Sequence, residues 1–168
     1  HCRGWALAEQ GCAEEGVVLM HQAMGGAQKS GVRLGKTMQL LVLAGVYAKS
    51  GQVEAGITSL DEALATIPHS GERFWEPEIH RLKGELLLMQ GAAEAEAEVH
   101  YWRGIELARQ QSAKSWELRA ATSLARLWQR QGRRDEARAL LSEIYGWFTE
   151  GFDTPDLQEA RAVLEELS

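Results

Sequence analysis

Small and bulky apolar residues recur along this chain with a period of about forty residues. Glycines that follow an apolar stretch stand at positions 11, 51, 91 and 132, at intervals of 40, 40 and 41 residues. Before each glycine lies a column of small residues, Gly4, Ala44, Gly84 and Ala125, and after it a column of bulky ones, Met20, Leu60, Tyr101 and Leu141. The spacings of three and four residues around these columns are typical of one stripe of an α-helix. Each period therefore predicts a helix, a turn at the glycine and a second helix.

Four such hairpins predict an all-α fold, a right-handed α-solenoid of helical repeats that forms a single domain over residues 1–168. The expected repeats cover about 1–31, 32–71, 72–112 and 113–150. The first is short ahead of its glycine, so we expect the chain to be a fragment of a longer protein. A last helix over about 154–167, with Thr154 as N-cap and Pro155 at its first position, is expected to cap the array.

Single residues refine the expected helix limits. The second helix of the first repeat is predicted over Ala13–Lys29. Pro68 is predicted to stop the second helix of the second repeat, and Pro77 to stand in the opening turn of the next helix. The alternating run that starts at Glu94 has a strand-like period, but alanine and glutamate favour helices, so this run is predicted to be helical.

Composition narrows the functional classes. The 168 residues are 45% hydrophobic, which is enough to bury a core, and the formal net charge of −6 argues against binding to nucleic acid. No run approaches the ~20 apolar residues of a membrane helix, so no membrane contact is expected. The two cysteines predict neither a zinc site nor a disulfide framework, and a cytoplasmic location is the simpler interpretation.

The second repeat resembles the tetratricopeptide repeat (TPR). Leu43 and Ala44 precede Tyr47 and the turn glycine, and Ala63 and Pro68 close the unit. Three longer stretches, 71–75, 81–87 and 113–167, are similar to the C-terminal repeat region of bacterial signalling proteins that join an adenylate or guanylate cyclase domain to an AAA/STAND ATPase. This resemblance implies a regulatory scaffold that senses a partner. The cyclase and ATPase residues themselves are absent from this chain.

No motif predicts catalysis, a cofactor or a metal. The run Gly31 to Thr37 ends like a phosphate-binding loop, but three residues rather than four separate its glycines and no strand precedes it, so a turn between repeats is expected. The five histidines form no HExxH or i, i+4 set, and a metal site would need ligands gathered from separate helices. No activated nucleophile stands out, so an enzyme is the least favoured alternative.

The first helices of helical-hairpin solenoids line the concave surface, and their outward residues predict a binding site. We define the candidate face as Arg81, Glu85, Arg119, Thr122, Arg126 and Arg130. Such a basic patch could hold a peptide carboxylate or an acidic protein; a solvated surface with Glu–Arg pairs between repeats is the alternative. The TPR peptide clamp is not expected, because Leu41 and Gly45 stand where clamp repeats have lysine and asparagine.

The tryptophans divide into two groups. Trp128 stands in a core column, and Trp5, Trp116 and Trp147 are predicted to pack at helix seams. Trp75 and Trp102 are candidate aromatic anchors for a partner. The expected partner is a protein or peptide, including another domain of the same polypeptide. Sensing of a small ligand, or a homodimer in which a second copy covers the short first repeat, are the alternatives.

Overall fold

The computed structural model describes residues 2–29 and 35–168, and its regular elements are helices. They are α1 (Cys2–Glu9), α2 (Ala13–Lys29), α3 (Lys36–Lys49), α4 (Val53–Ser70), α5 (Glu76–Gln90), α6 (Glu94–Gln110), α7 (Lys114–Arg130), α8 (Arg134–Tyr145) and α9 (Pro155–Glu166). A 3₁₀ turn, Arg73–Trp75, precedes α5. No strand occurs in the described ranges, so the all-α prediction is confirmed. The predicted boundary at residues 31 and 32, and most of the loop-like run 31–37, lie outside the described residues.

The four predicted glycines end the first helix of each hairpin. Gly11, Gly51, Gly91 and Gly132 have φ values of 88°, 75°, 85° and 79°. One residue later, a backbone N–H donates to the carbonyl five positions back, as from Gln52 to Tyr47 at 2.9 Å. This is the Schellman motif, and it favours glycine because a left-handed residue with a Cβ is strained. The predicted turns are confirmed.

The ends of the second and third repeats use the same left-handed geometry with different residues. Gly71 caps α4 at φ 72°, whereas Ser112 follows α6 at φ 55° and is the one non-glycine residue with positive φ among those described. The prediction that Pro68 stops its helix is wrong by two residues, since α4 continues to Ser70. In the last turn a proline removes only one intrahelical hydrogen bond, and the left-handed glycine makes the actual stop.

The other predicted helix limits agree with the structure. Helix α2 covers Ala13–Lys29 as predicted, α6 begins at Glu94, and Pro77 stands in the first turn of α5. Pro155 opens α9 after Thr154, but the Thr154 hydroxyl donates to the Gly151 carbonyl at 2.7 Å and makes no cap bond to α9. None of the described helices combines the length and apolar content that crossing a bilayer requires.

The helices group into two compact units, His1–Ile79 and His80–Ser168, with the boundary inside α5. In the first unit α1 packs on α2 and α3 packs on α4, and α2 also contacts α3. Buried Met20 and Leu43 share a cluster with Tyr47, whose hydroxyl lies 2.6 Å from Nε2 of His21. The Glu72 carboxylate accepts hydrogen bonds from the backbone N–H groups of Gly35 and Thr37 at 2.8 and 3.1 Å, which satisfies two free donors at the start of α3.

In the second unit one apolar core joins α6, α7, α8 and α9. Its fully buried members include Ile105, Leu124, Leu127, Leu141 and Ala160. Helix α9 contributes Leu157, Ala160 and Val163, so it covers apolar surface as a capping helix should. The column of bulky residues is buried as predicted. Its members are at most 2% exposed: Met20, Leu60, Tyr101 and Leu141.

In the third repeat Gly84 of α5 packs directly against α6. A Cβ added to Gly84 of α5 would lie 2.7 Å from a ring carbon of Tyr101 on α6 and 3.1 Å from the Ala97 carbonyl oxygen. Side-chain carbons do not approach a packed ring at 2.7 Å, so the absence of a side chain at Gly84 sets this helix separation. A residue of the small column and a residue of the bulky column are thus in direct contact across the hairpin.

Candidate interaction surface

Arg81 and Glu85, the α5 members of the candidate face, are one helical turn apart and form an ion pair. Ser123 of α7 joins them: its hydroxyl donates to the Glu85 carboxylate at 3.0 Å, and the Arg81 guanidinium reaches the same hydroxyl at 3.5 Å. The Arg81 side chain is only 12% exposed. This part of the face is therefore a closed polar network that ties α5 to α7, and sequence reasoning missed Ser123.

The α7 arginines of the face are paired with carboxylates of α9. The Arg119 guanidinium donates to Asp156 at 3.3 Å, and the Arg126 guanidinium donates to Glu159 at 2.6 Å. Gln129 donates to Glu166 at 3.2 Å on the same side of α9. Asp156 and Glu159 therefore reduce the positive charge of the candidate face.

Thr122 and Arg130 differ from the other members. Thr122 is 4% exposed, and its hydroxyl donates to the Leu118 carbonyl at 2.8 Å. Arg130 is exposed at the end of α7, and none of the described carboxylates lies within ion-pair distance of it. The free charge of the face is therefore concentrated at the C-terminal end of α7, beside Arg126.

A narrow cleft of about 30 Å³ lies within the face, and its lining residues are Arg81, Arg119, Thr122, Ser123, Asp156 and Glu159. A space of this size corresponds to about one water molecule. It can admit water or the tip of a side chain, but not an organic ligand. Binding at this face must therefore use its outer arginines rather than an enclosed cavity.

The two predicted aromatic anchors are half-buried. Trp75 stands edge-on to exposed Phe74, with ring centroids 4.9 Å apart. Trp102 lies 5.9 Å from the ring of Trp128 and borders an open groove of about 410 Å³ along α6. Both keep some accessible ring surface, so their use as anchors stays a prediction.

The packing prediction holds for only part of the remaining tryptophans. Trp128 is buried as expected, and Trp116 is half-buried with the Arg119 guanidinium 5.5 Å from its ring. The prediction is wrong for Trp5 and Trp147, which are 52% and 59% exposed. Trp147 follows the end of α8, where no helical register directs its ring to the core, and the Lys114 ammonium lies 5.7 Å from it.

A buried carboxylate at the start of α7 was also missed. The Glu117 side chain is 2% exposed and accepts hydrogen bonds from Arg109 at 2.7 Å and Lys114 at 2.6 Å. Burial alone would raise the pKa of Glu117, but the hydrogen bonds from Arg109 and Lys114 outweigh it and hold the pKa below its usual value. Of these contacts, the sequence showed only the i, i+3 spacing of Lys114 and Glu117. The ion pairs of Glu117 with Arg109 and Lys114 hold the turn between α6 and α7 in place.

Tyr101 of α6 is buried beside the face. Burial, followed by the charge of Glu85, raises the pKa of the Tyr101 hydroxyl well above its usual value. The phenol therefore stays neutral at physiological pH. Within residues 2–29 and 35–168, no three His, Cys, Asp or Glu side chains gather into a group that could hold a metal ion.

Comparisons with known proteins bear on the fold. No protein-family model matches the chain. No curated protein matches its sequence either. Solved structures do match. One is a Podosopora anserina protein described as a kinesin light chain with nearly identical TPR-like repeats, at a TM-score of 0.74 and 18% identity, covering 99% of this chain and 82% of that one. A point variant of it matches at a TM-score of 0.74 and 17% identity with the same coverage.

A second neighbour is BtubC (BKLC) from P. vanneervenii, with a TM-score of 0.67 and 16% identity over 99% of this chain and 80% of that one. The fold is that of TPR-like repeat proteins. The predicted TPR resemblance is thus confirmed at the level of fold.

Proposed function

We propose that this chain is a non-catalytic TPR-like module that binds an acidic peptide or protein segment on the candidate face. The observation that carries the proposal is the pair of exposed arginines, Arg126 and Arg130, one turn apart on α7. Residues at i and i+4 of a helix present neighbouring side chains, so two guanidinium groups point toward the same region. Two carboxylates of one bound segment would match them.

The existing ion pairs do not prevent such binding. The Arg126 and Glu159 side chains are 51% and 48% exposed, and pairs of this kind contribute only about 0–1 kcal/mol. A partner carboxylate can therefore replace Glu159 at little cost. Arg81, which is tied to Glu85 and Ser123, supports the shape of the face rather than contacting the partner.

The test compares two arginine variants on an array of acetylated 12-residue peptides of graded charge. Arg126→Ala/Arg130→Ala removes the proposed contacts, and Arg161→Ala removes an exposed arginine of α9 that pairs with Glu165. Acidic peptides should bind the unmodified chain and the Arg161 variant, and binding should weaken about tenfold in the double variant and at high salt. Equal binding by all three proteins, with unchanged circular dichroism, would exclude the candidate face.

The wider setting rests on sequence resemblance alone. The similarity of stretches 71–75, 81–87 and 113–167 to cyclase–ATPase proteins supports a place in a bacterial signalling protein, where the partner could be another domain of the same polypeptide. The free, exposed thiol of Cys12 is compatible with a reducing, cytoplasmic setting.

Self-association is the second candidate, because Trp5 and Val18 are both more than half exposed in the first unit. Large exposed apolar side chains favour burial against another surface. Sedimentation of the unmodified chain and of Trp5→Glu tests this candidate. A dimer that becomes monomeric in the variant supports it, whereas a monomer at high protein concentration in both removes it.

A further inference from the structure

Two histidines meet across the α5–α6 hairpin, outside the candidate face. Nδ1 of His80 and Nδ1 of His100 lie 3.0 Å apart. The two rings are stacked, with centroids 5.2 Å apart and an interplanar angle of 29°. Both residues are half-buried. Neither residue has a role in the proposed partner binding.

The close approach of the two helices explains this contact. His80 lies one turn before Gly84 on α5, and His100 directly precedes Tyr101 on α6. Because Gly84 lets Tyr101 pack against the backbone of α5, the neighbouring side chains on this seam are also brought together. The backbone of two packed helices thus positions both imidazoles, and neither depends on a flexible loop.

We propose that His80 and His100 form a two-imidazole site for a late first-row divalent metal ion such as Ni²⁺ or Cu²⁺. Bonds of about 2.0–2.1 Å from one ion to two nitrogens at a right angle place the nitrogens ~2.9 Å apart, and a tetrahedral angle places them ~3.3 Å apart. The observed 3.0 Å lies within this range, so one ion can reach both nitrogens with little movement of the helices.

Coordination changes the tautomer of both rings. When the ion binds, both Nδ1 atoms become ligands and the ring protons reside on Nε2, so the hydrogen bond between the rings is replaced by two coordinate bonds.

Two basic neighbours limit the affinity of this site for a divalent cation. Lys83 and Arg103 each lie three residues after one of the histidines and repel a divalent cation, and both protein ligands are neutral. With only two protein ligands, water completes the coordination shell. The bound ion would therefore link α5 to α6 and keep open coordination positions for an external ligand.

The experiment titrates Ni²⁺, and separately Cu²⁺, into the untagged chain after treatment with a chelator, with calorimetry and thermal unfolding as readouts. We expect the unmodified chain to bind the metal saturably and to show a rise in Tm on binding. His80→Ala and His100→Ala should each bind one equivalent of metal less per chain and should not show that rise in Tm. His69→Ala, which removes an exposed histidine of α4, is the matched control and should keep that equivalent.

Two further measurements separate coordination from a purely structural role. The Cu²⁺ electron paramagnetic resonance spectrum should show coupling to imidazole nitrogen that disappears in His100→Gln, a variant of similar size. Arg103→Gln should tighten Ni²⁺ binding severalfold, because it removes a repelling charge without touching a ligand. Unchanged uptake in folded His80→Ala or His100→Gln, or an equal loss in His69→Ala, would overturn the proposal.

Discussion

Helices α3 and α5 hold the same place in successive repeats, but their neighbours meet them differently. The small column residue is Ala44 in α3 and Gly84 in α5, and the bulky residue of the following helix is Leu60 in the first case and Tyr101 in the second. All four are buried. A Cβ at Gly84 would meet the Tyr101 ring at 2.7 Å, so the larger ring fits because the smaller residue opposite gives it room.

The same comparison extends to the surface positions of the two helices. Arg81 and Glu85 of α5 correspond to Leu41 and Gly45 of α3, and His80 corresponds to buried Leu40. The second repeat is thus apolar where the third has a polar network and a histidine pair. The repeat architecture fixes which positions face a neighbour, while the residues at those positions decide whether the surface can bind charged partners or ions.

The largest effect is expected from a charge placed in the column of small residues, at Ala44 of α3. Ala44→Glu places a carboxylate at a position that is 0% exposed, and an unpaired buried charge costs several kcal/mol. We expect the first unit to lose cooperative folding in urea titrations followed by circular dichroism. Gln52→Glu, at an exposed position, should change stability by less than about 0.5 kcal/mol. A folded Ala44→Glu protein with wild-type stability would mean that the column is not packed.

The next prediction concerns pH and uses the histidine that α3 lacks. The pKa of His80 is about 4 in the folded chain against an ordinary 6.5, so the unfolded state binds more protons between these values. The contribution of His80 to the free energy of unfolding should therefore be fully favourable above pH 6.5 and should be lost as the pH falls toward 4. Allowing for solvent screening, the expected loss is ~1–2 kcal/mol.

Denaturant unfolding at several pH values checks this window. In His80→Gln, which has no titrating ring at that position, the change between pH 6.5 and 4 should be smaller than in the unmodified chain. Glu117, whose pKa is also lowered, changes stability in the same direction as His80: its stabilisation is present above the usual carboxyl pKa and is lost as the pH falls further. Identical pH profiles for the two proteins would refute the role of His80.

A smaller effect of opposite sign is expected at Gly45. No atom of the described residues lies within 4 Å of a Cβ built on this glycine, and its φ is not positive. Gly45→Ala should therefore stabilise the chain by about 0.5–1 kcal/mol through helix propensity alone. A rise in Tm is the expected readout, and a fall would show an unrecognised contact at this face of α3.

The smallest effect is expected where the repeats end. Ser112 has φ 55°, whereas Gly71 supplies the left-handed residue of the preceding repeat. Ser112→Gly relieves strain but adds freedom to the unfolded chain, so the net change should stay within about 0.5 kcal/mol. Ser115→Gly, at an exposed position of helix α7, should instead destabilise the chain by about 0.5 kcal/mol, because glycine is a poorer helix former than serine. Chemical denaturation of both variants compares the two free energies of unfolding.

Much of the fold could be predicted from the sequence because its determinants are local. The four turn glycines and the small and bulky columns depend on helical spacing and on the steric needs of a left-handed residue, both of which are visible in one chain. The stop at Pro68 was misplaced because a proline in a last turn is tolerated when a glycine follows within a few residues.

The candidate site was less predictable because its contacts join distant helices. The six residues of the face were identified by spacing alone, but the carboxylates that neutralise Arg119 and Arg126 come from α9, and Ser123 completes the α5 network from α7. The meeting of His80 and His100 depends on how closely two helices pack. No pattern within either helix carries that information.

A double-mutant cycle at Gly84 and Tyr101 tests the central claim most directly, namely that these two residues fit together by complementary volume. Gly84→Ala alone should destabilise the chain by ~1–2 kcal/mol, because overpacking outweighs the gain in helix propensity. In a Tyr101→Leu background, which restores the bulky residue of the second repeat, the same change should cost much less or become stabilising, giving a coupling energy above ~1 kcal/mol. Additive effects of the two substitutions would contradict the claim.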